Sequence, residues 1–466
     1  MEINPSQRSG SSASADVRPS WMFDQIESDS ELDFVIQMRR DRGDADAIAT
    51  MRNHWSHYLS DSMLDSAVSL GVNAVRIPVG YWITDAPVGR TSPYEYGFSH
   101  EGFVTGGLNH LRAMLPKLRA RGITAVLDMH SLPCGQSCVS NGLSCQVPLA
   151  FAASNGSVPG AAVADIPRCL GAGGGERTGS ATAYPSSRPR GTTWGQVAVD
   201  SVAALARWIA ELPADDAMVI SALQVANEPA LNTPGYNSAV QHFYRQAIAA
   251  ARAWLPALPL VLNFIYPNDS GLDLFMKEAQ AWGGALMIDV HWYLNWAGDF
   301  KASEDASPSE RAWPTIHSRA CHSPKMTWNW CSAPGNDIPV MLGEWALASN
   351  HDAPINLEDH ATARELKQMY AEQLSLYSYG RAWANESDPA PLVGHFFWTL
   401  RMGSGWDPRP TAAHPHGRQV GGSTASRSLS GYPFQVWSLL ELAAYKIATP
   451  MSEADSRACE GVPNGL

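Results

Sequence analysis

Basic residues are scarce in this chain. There are 33 Lys and Arg against 45 Asp and Glu over 466 residues, a formal net charge of −12. Nucleic-acid binding depends on clustered Lys and Arg that displace phosphate counterions, so the balance excludes a polyanionic partner and favours an uncharged one. Long apolar runs are missing too. No stretch reaches the roughly 18 to 20 uncharged apolar residues that span a bilayer, and residues 1–20 are polar, without the apolar centre of a signal peptide. Zinc-type cysteine spacing is also absent. The seven cysteines are Cys134, Cys138, Cys145, Cys169, Cys321, Cys331 and Cys459, and their C-x3-C-x6-C run matches no common zinc pattern. No structural metal is expected. The cysteines fall in segments that read as loops, which predicts disulfides formed in an oxidising compartment with one cysteine left over.

What is present is a globular α/β pattern: 45% hydrophobic residues, 17% charged, with strand-like and helix-like stretches in alternation. The length suits one large barrel or two to three average domains. Seven short apolar runs read as strands: Asn73–Val79, Thr124–Met129, Val219–Ala226, Pro259–Phe264, Leu286–Val290, Ile338–Leu342 and Val393–Trp398. Helix-period segments separate them, as βα units of a parallel sheet require. One such segment is Ser60–Leu70, capped by Ser60 and ended by Gly71, with Leu64, Ala67 and Val68 on one face. Another is Asn237–Trp254, with Val240, Phe243, Ala247, Ala251 and Trp254 at helical spacing. Residues 133–193 differ, being rich in Gly, Ala, Ser and Pro and holding four of the cysteines. The segment is too long for an ordinary βα loop. An insertion after the third barrel strand would overhang the mouth, as a cover or a substrate-binding wall.

Two strands end in glutamate. Gln224-Val225-Ala226-Asn227-Glu228-Pro229 closes with a proline that stops the ladder, and Pro339-Val340-Met341-Leu342-Gly343-Glu344-Trp345 closes on Glu344. Carboxylates at the C-terminal ends of two barrel strands face one mouth. Retaining glycoside hydrolysis needs such a pair, one protonating the leaving oxygen and one attacking the anomeric carbon. Arg76, at a neighbouring strand end, is the donor expected to hold the nucleophile ionised. His130, Asn227, His291 and Tyr293 also stand at strand ends, where they would reach sugar hydroxyls. A single glutamate after an apolar run is usually a solvated strand end, and a single histidine is usually core; the order of all of them along the strands makes the pattern. The chain has 17 tryptophans, and Trp82, Trp292, Trp296, Trp345, Trp398 and Trp406 fall at or just after strand ends. Flat aromatic faces stack on sugar rings, and two or three of these, Trp398 first, are expected to do so.

These residues resemble glycoside hydrolase family 5, and within it the exo-β-1,3-glucanases, from about Trp21 to Lys446. The resemblance rests on His54-Trp55, GVNAVRIPVGYW (Gly71–Trp82), LDMHSLPCGQ (Leu127–Gln136), VANEP (Val225–Pro229), DVHWY (Asp289–Tyr293), GEW (Gly343–Trp345) and FFWT (Phe396–Thr399). It implies a (β/α)8 TIM barrel over residues 21–450, preceded by a disordered polar segment 1–20 and followed by a tail 451–466. Glu228 takes the acid/base role and Glu344 the nucleophile role. Arg76, His130, Asn227, His291 and Tyr293 surround the first sugar, Trp398 is its platform, and Tyr293 hydrogen-bonds the nucleophile. No cofactor or metal is implied.

Three departures stand out. The family's opening strand, of the type Gly-Val-Asn-Leu-Gly-Gly-Trp, has no counterpart, so the first barrel strand is missing or replaced. Ser131–Cys138 replaces a Gly-Ala-Pro-Gly-Ser-Gln-Asn-Gly loop, and Val290 and Trp292 replace histidines. The expected function is release of glucose from β-1,3-glucan by a monomeric, secreted or cell-surface enzyme, with three sequons at Asn155, Asn268 and Asn385 in keeping with that route. The alternatives are another β-glycan substrate, such as β-1,6- or β-1,4-glucan, mannan or a glucosylated lipid, and a non-catalytic glucan-binding barrel.

Overall fold

The computed structural model describes residues 31–99, 101–133, 136, 194–229, 236–263, 279–294, 309, 312–322, 338–349, 357, 359–379, 392–400, 406–407, 418–419, 438–452, 455–460 and 462–463. The expectations for residues 1–20, and for nearly all of 133–193, fall outside them. Seven parallel strands form one curled sheet in sequential order: β1 (Ala74–Gly80), β2 (Thr124–Ser131), β3 (Ile220–Gln224), β4 (Leu260–Leu262), β5 (Leu286–His291), β6 (Val340–Trp345) and β7 (Leu392–Phe397). This is the sheet of a TIM barrel, and each strand coincides with one of the seven read from the sequence. Among the described residues no strand precedes β1, and the outer edges of β1 and β7 pair with no other strand.

Helices alternate with the strands. Before the sheet come α1 (Glu31–Arg42), α2 (Asp44–His57) and α3 (Asp61–Ser69); α4 (Gly107–Arg119) links β1 to β2. Then follow α5 (Trp194–Ala210) before β3, α6 (Tyr236–Arg252) before β4, α7 (Trp313–His322) before β6, α8 (His360–Tyr379) before β7, and α9 (Leu439–Ala444) after it. The caps behave as their chemistry demands. Ser60 Oγ accepts from Met63 N at 3.3 Å, and Gly71, at φ 88°, ends α3 in a conformation that only glycine adopts cheaply. Leu64 and Ala67 are buried as expected, but Val68 is exposed and Met63 takes its place on the inner face. In α6, Val240, Phe243, Ala247 and Ala251 are buried, whereas Trp254 lies past the helix end and stays exposed.

The main core lies between sheet and helices, which is why β2 and β6 are buried along nearly their whole length and read as continuous apolar runs. Inside the curl a second, smaller layer is formed by Val126, Ala222, Val261 and Met341, with Met287 and Phe396 against it, one residue from each of six strands. A cavity of about 1150 Å³ runs from this layer to the gap between β1 and β7. Cys321 is bonded to Cys459, tying the end of α7 to the C-terminal tail. Cys321 thus sits on a helix rather than in the expected loop, where its side chain is buried against α8. No helix among the described residues is long and apolar enough to cross a membrane.

Candidate active site

Directly above the apolar inner layer, the strands turn polar. Asp128, Gln224, Asp289 and, just past β4, Asn263 are all fully buried, and Arg76 stands among them. Its Nε donates to Gln224 Oε1 at 2.8 Å, one terminal nitrogen to Glu344 Oε1 at 2.7 Å and the other to Asn227 Oδ1 at 2.7 Å. Asp128 lies 3.0 Å and Asp289 3.8 Å from the same guanidinium. Burial works against its charge, but Asp128, Glu344 and Asp289 outweigh burial and hold its pKa well above the ordinary value. A buried arginine of this kind persists because carboxylates and amide oxygens surround its donors.

The two glutamates reach the mouth by two local distortions. On β6 the register against β5 slips by one residue: Val290 pairs with Leu342, but His291 pairs with Glu344. Gly343 is the residue skipped. Its amide donates to Asp289 Oδ1 at 2.6 Å, and a Cβ there would lie 2.1 Å from that oxygen, so only glycine fits beneath the bulge. Glu344 consequently points into the site, where Tyr293 donates to its Oε2 at 2.6 Å. Burial, then the neighbouring Glu344 carboxylate, push the Tyr293 hydroxyl well above its ordinary pKa, keeping it a donor.

Glu228 follows β3 in left-handed backbone geometry, at φ 45°. β3 ends at Gln224 rather than at the expected Ala226, although Val225 N and Asn227 N still donate to Val261 O and Met129 O on the neighbouring strands, at 2.9 and 3.2 Å. Asn263 holds the turn by accepting from Glu228 N at 2.7 Å, while its own amide donates to the Asp289 carbonyl at 3.2 Å. The Glu228 carboxylate meets His291, Nδ1 to Oε1 at 2.6 Å, and His291 Nε2 lies 3.0 Å from Asp289 Oδ2. Burial raises the Glu228 pKa, but His291, His130 and Arg76 together hold it below the ordinary value. His291 moves the other way: burial lowers it, yet Glu344, Asp289 and Glu228 lift it well above the usual imidazole range.

His130 donates from Nδ1 to Asp128 Oδ2 at 2.6 Å, and Asn227 Nδ2 lies 3.4 Å from its Nε2. Trp398, just past β7, lies parallel to the His130 ring with centroids 5.4 Å apart and is partly exposed, as a stacking platform must be. All eight expected residues, Arg76, His130, Asn227, Glu228, His291, Tyr293, Glu344 and Trp398, are thus gathered in one connected cluster. Two other tryptophans are core. Trp345 is buried among Tyr370, Tyr377 and Phe397, and Trp82 stacks on Phe103 with centroids 3.8 Å apart. Trp296 and the side chain of Trp406 lie outside the described residues.

Sequence reasoning missed the supporting residues Gln136, Gln224, Asn263, Asp128 and Asp289. Gln136 is fully buried and ties the ends of β2 and β3 by donating to the His130 and Asn227 carbonyls, each at 2.8 Å. The two aspartates had a signal: each stands two residues before a strand-end histidine, on the same strand face. Glu228, His291 and Glu344 also present one ligand atom each within 4.8 Å of one another, close enough to share a cation, although Arg76 already supplies positive charge to Glu344.

The model of the family described as Cellulase (glycosyl hydrolase family 5) matches residues 40–386. Probable glucan 1,3-beta-glucosidase A of Aspergillus clavatus is 24% identical over 249 residues, 53% of this chain and 45% of the relative. Probable glucan endo-1,6-beta-glucosidase B of Aspergillus fumigatus is 30% identical over 108 residues, 23% of this chain and 24% of the relative. The chain thus spans between about a quarter and a half of the length of these relatives. Among solved structures, rutinosidase from Aspergillus niger superimposes with a TM-score of 0.55 at 14% identity, covering 95% of this chain and 92% of that one, a likeness of fold.

Proposed function

Because this chain belongs to glycosyl hydrolase family 5, we propose that it hydrolyses β-glucan with retention, releasing glucose from β-1,3-linked chains at Glu228 and Glu344. The observation that carries this reading is the closeness of the two carboxylates, whose nearest oxygens lie within 4.8 Å of each other. Retaining enzymes hold the pair about 5 to 5.5 Å apart, whereas inverting ones leave roughly 6.5 to 9.5 Å for a water.

Glu344, held by Arg76 and Tyr293 through one oxygen each, attacks the anomeric carbon while Glu228 protonates the leaving oxygen. Glu228 then takes a proton from the water that releases the sugar. His130 and Asn227 face sugar hydroxyls, His291 has a carboxylate at each ring nitrogen and is turned to Glu228 and Asp289, and Trp398 presents its ring to the sugar face. The Cys321–Cys459 bond and the secreted-type chemistry of a polysaccharide substrate support a place outside the cell or at its surface. A β-1,6-glucan is the second reading, favoured by the relative named for that linkage.

The test is product analysis of the purified chain on laminarin and on a β-1,6-glucan, with the anomer followed by NMR. Early β-glucose from laminarin is expected, and both Glu228→Gln and Glu344→Gln should lose at least about a hundredfold in turnover. Faster cleavage of the β-1,6-glucan would establish the second reading; α-glucose, or no product from either polymer, would overturn the proposal.

A further inference from the structure

His291 is flanked by carboxylates at both ring nitrogens: Glu228 Oε1 at 2.6 Å from Nδ1 and Asp289 Oδ2 at 3.0 Å from Nε2. A neutral imidazole has one N–H, so two such hydrogen bonds require two protons among the three groups. Asp289 is the poorest place for either. It is fully buried, and it already accepts the Gly343 amide at Oδ1 and the Gln224 side-chain amide, 3.0 Å away, at Oδ2. Those donors suit an ionised, acceptor-only carboxylate. One proton therefore sits on Nε2, pointing at Asp289, and the other lies between Nδ1 and Glu228.

On this basis, and resting on the hydrolytic reading above, we infer that Asp289 is a positioning residue that controls the acid/base Glu228 through His291. By accepting the hydrogen bond from Nε2–H, it fixes the ring so that Nδ1 holds the proton that Glu228 delivers to the leaving oxygen. The shared proton crosses from Nδ1 to Glu228 within the 2.6 Å hydrogen bond as Glu228 protonates the leaving oxygen, which leaves His291 neutral with its proton on Nε2; when Glu228 later takes a proton from water, that proton refills the same hydrogen bond. The other charged groups around His291 are Glu344 on β6, 3.5 Å from Nδ1, and, through the shared network, Arg76 on β1, Asp128 and His130 on β2 and the Tyr293 hydroxyl. Among the described residues only Asp289 bonds to Nε2. The same carboxylate also anchors Gly343, next to the nucleophile, so one buried group sets both partners of the reaction.

The test uses selectively 15N-labelled histidine in the full chain, with Asp289→Asn beside wild type. In wild type the His291 Nε2 should stay protonated through the active pH range. In Asp289→Asn the loss of a negative charge disfavours the protonated pair, so the His291 titration and the alkaline limb of kcat/KM on an aryl β-glucoside should both move to lower pH, by about one unit. A wild-type His291 with a bare Nε2 would overturn the inference without any variant. A folded Asp289→Asn with both titrations unmoved, whatever its rate, would overturn it too, because a merely structural aspartate changes rate without moving the limb. The NMR arm needs no substrate, so an inactive wild type counts against hydrolysis alone.

Discussion

Gly343→Ala tests the packing beneath the nucleophile. The added methyl carbon would lie 2.1 and 2.3 Å from the two Asp289 carboxylate oxygens and 2.4 Å from their carbon, far inside van der Waals contact. The carboxylate has nowhere to go: the Gly343 amide at 2.6 Å and the Gln224 amide and His291 Nε2 at 3.0 Å each hold it. Relief requires breaking at least one hydrogen bond to a charged group, about 1.5 to 3 kcal/mol. Overpacking adds about 1 to 3 kcal/mol. For a chain of more than 400 residues each kcal/mol is worth about 1 °C in Tm, so a fall of about 3 to 6 °C is expected in thermal unfolding followed by circular dichroism. Because the same shift moves His291 and the β6 bulge, kcat/KM should drop by at least about tenfold. Gly394→Ala is the control, since nothing lies within 4 Å of where its Cβ would be. If Gly343→Ala keeps both the wild-type Tm and the wild-type kcat/KM, the carboxylate does not lie against the Gly343 backbone and the account of the bulge fails.

Two further perturbations probe groups away from the reacting atoms. His317 lies between Glu372 and Glu365, at 2.7 and 3.0 Å from its two nitrogens; burial lowers its pKa, but these carboxylates raise it further. Its folded pKa therefore exceeds the unfolded one, so the stabilisation is complete below about pH 6.5 and fades as pH rises through the folded value. His317→Gln should lower Tm at acidic and neutral pH and converge on wild type at alkaline pH; a gap constant from pH 5 to 9 would refute this. Asn263→Ala removes the acceptor that fixes the left-handed turn at Glu228, and kcat should fall about ten- to a hundredfold with little change in KM. Steady-state kinetics with unchanged kcat would mean that the turn holds itself.

The strands were legible because a barrel strand buried on both faces leaves an apolar run, and the residues of the site because each closes such a run. What stayed hidden depends on partners from other strands. Gln224 and Asn263 look like stray amides in apolar strands until the sheet curls and brings Arg76 and the Glu228 backbone against them. The slip at Gly343 leaves no periodic trace, because the sequence shows only alternation and not the register of a neighbour. Trp345 reads as a sugar platform from its place after Glu344, but the same slip turns it outward into the aromatic core. Val68 misled for a simpler reason: at 100° per residue it sits on the rim of the face that Leu64, Ala67 and Met63 define.

The Cys321–Cys459 bond divides the site by covalent connectivity. Glu344 and Trp398 lie within the stretch that it closes, 138 residues apart at its ends, while Arg76, His130, Glu228 and His291 lie on the open arm before it. A single proteolytic cut between the two cysteines leaves both pieces joined, and the nucleophile stays attached to the acid/base through the bridge or the backbone. A cut between Glu228 and Cys321 leaves the two glutamates on pieces that, among the described residues, no disulfide joins. The Cys321–Cys459 bond thus protects the pair against breakage on one side of Cys321 and not on the other.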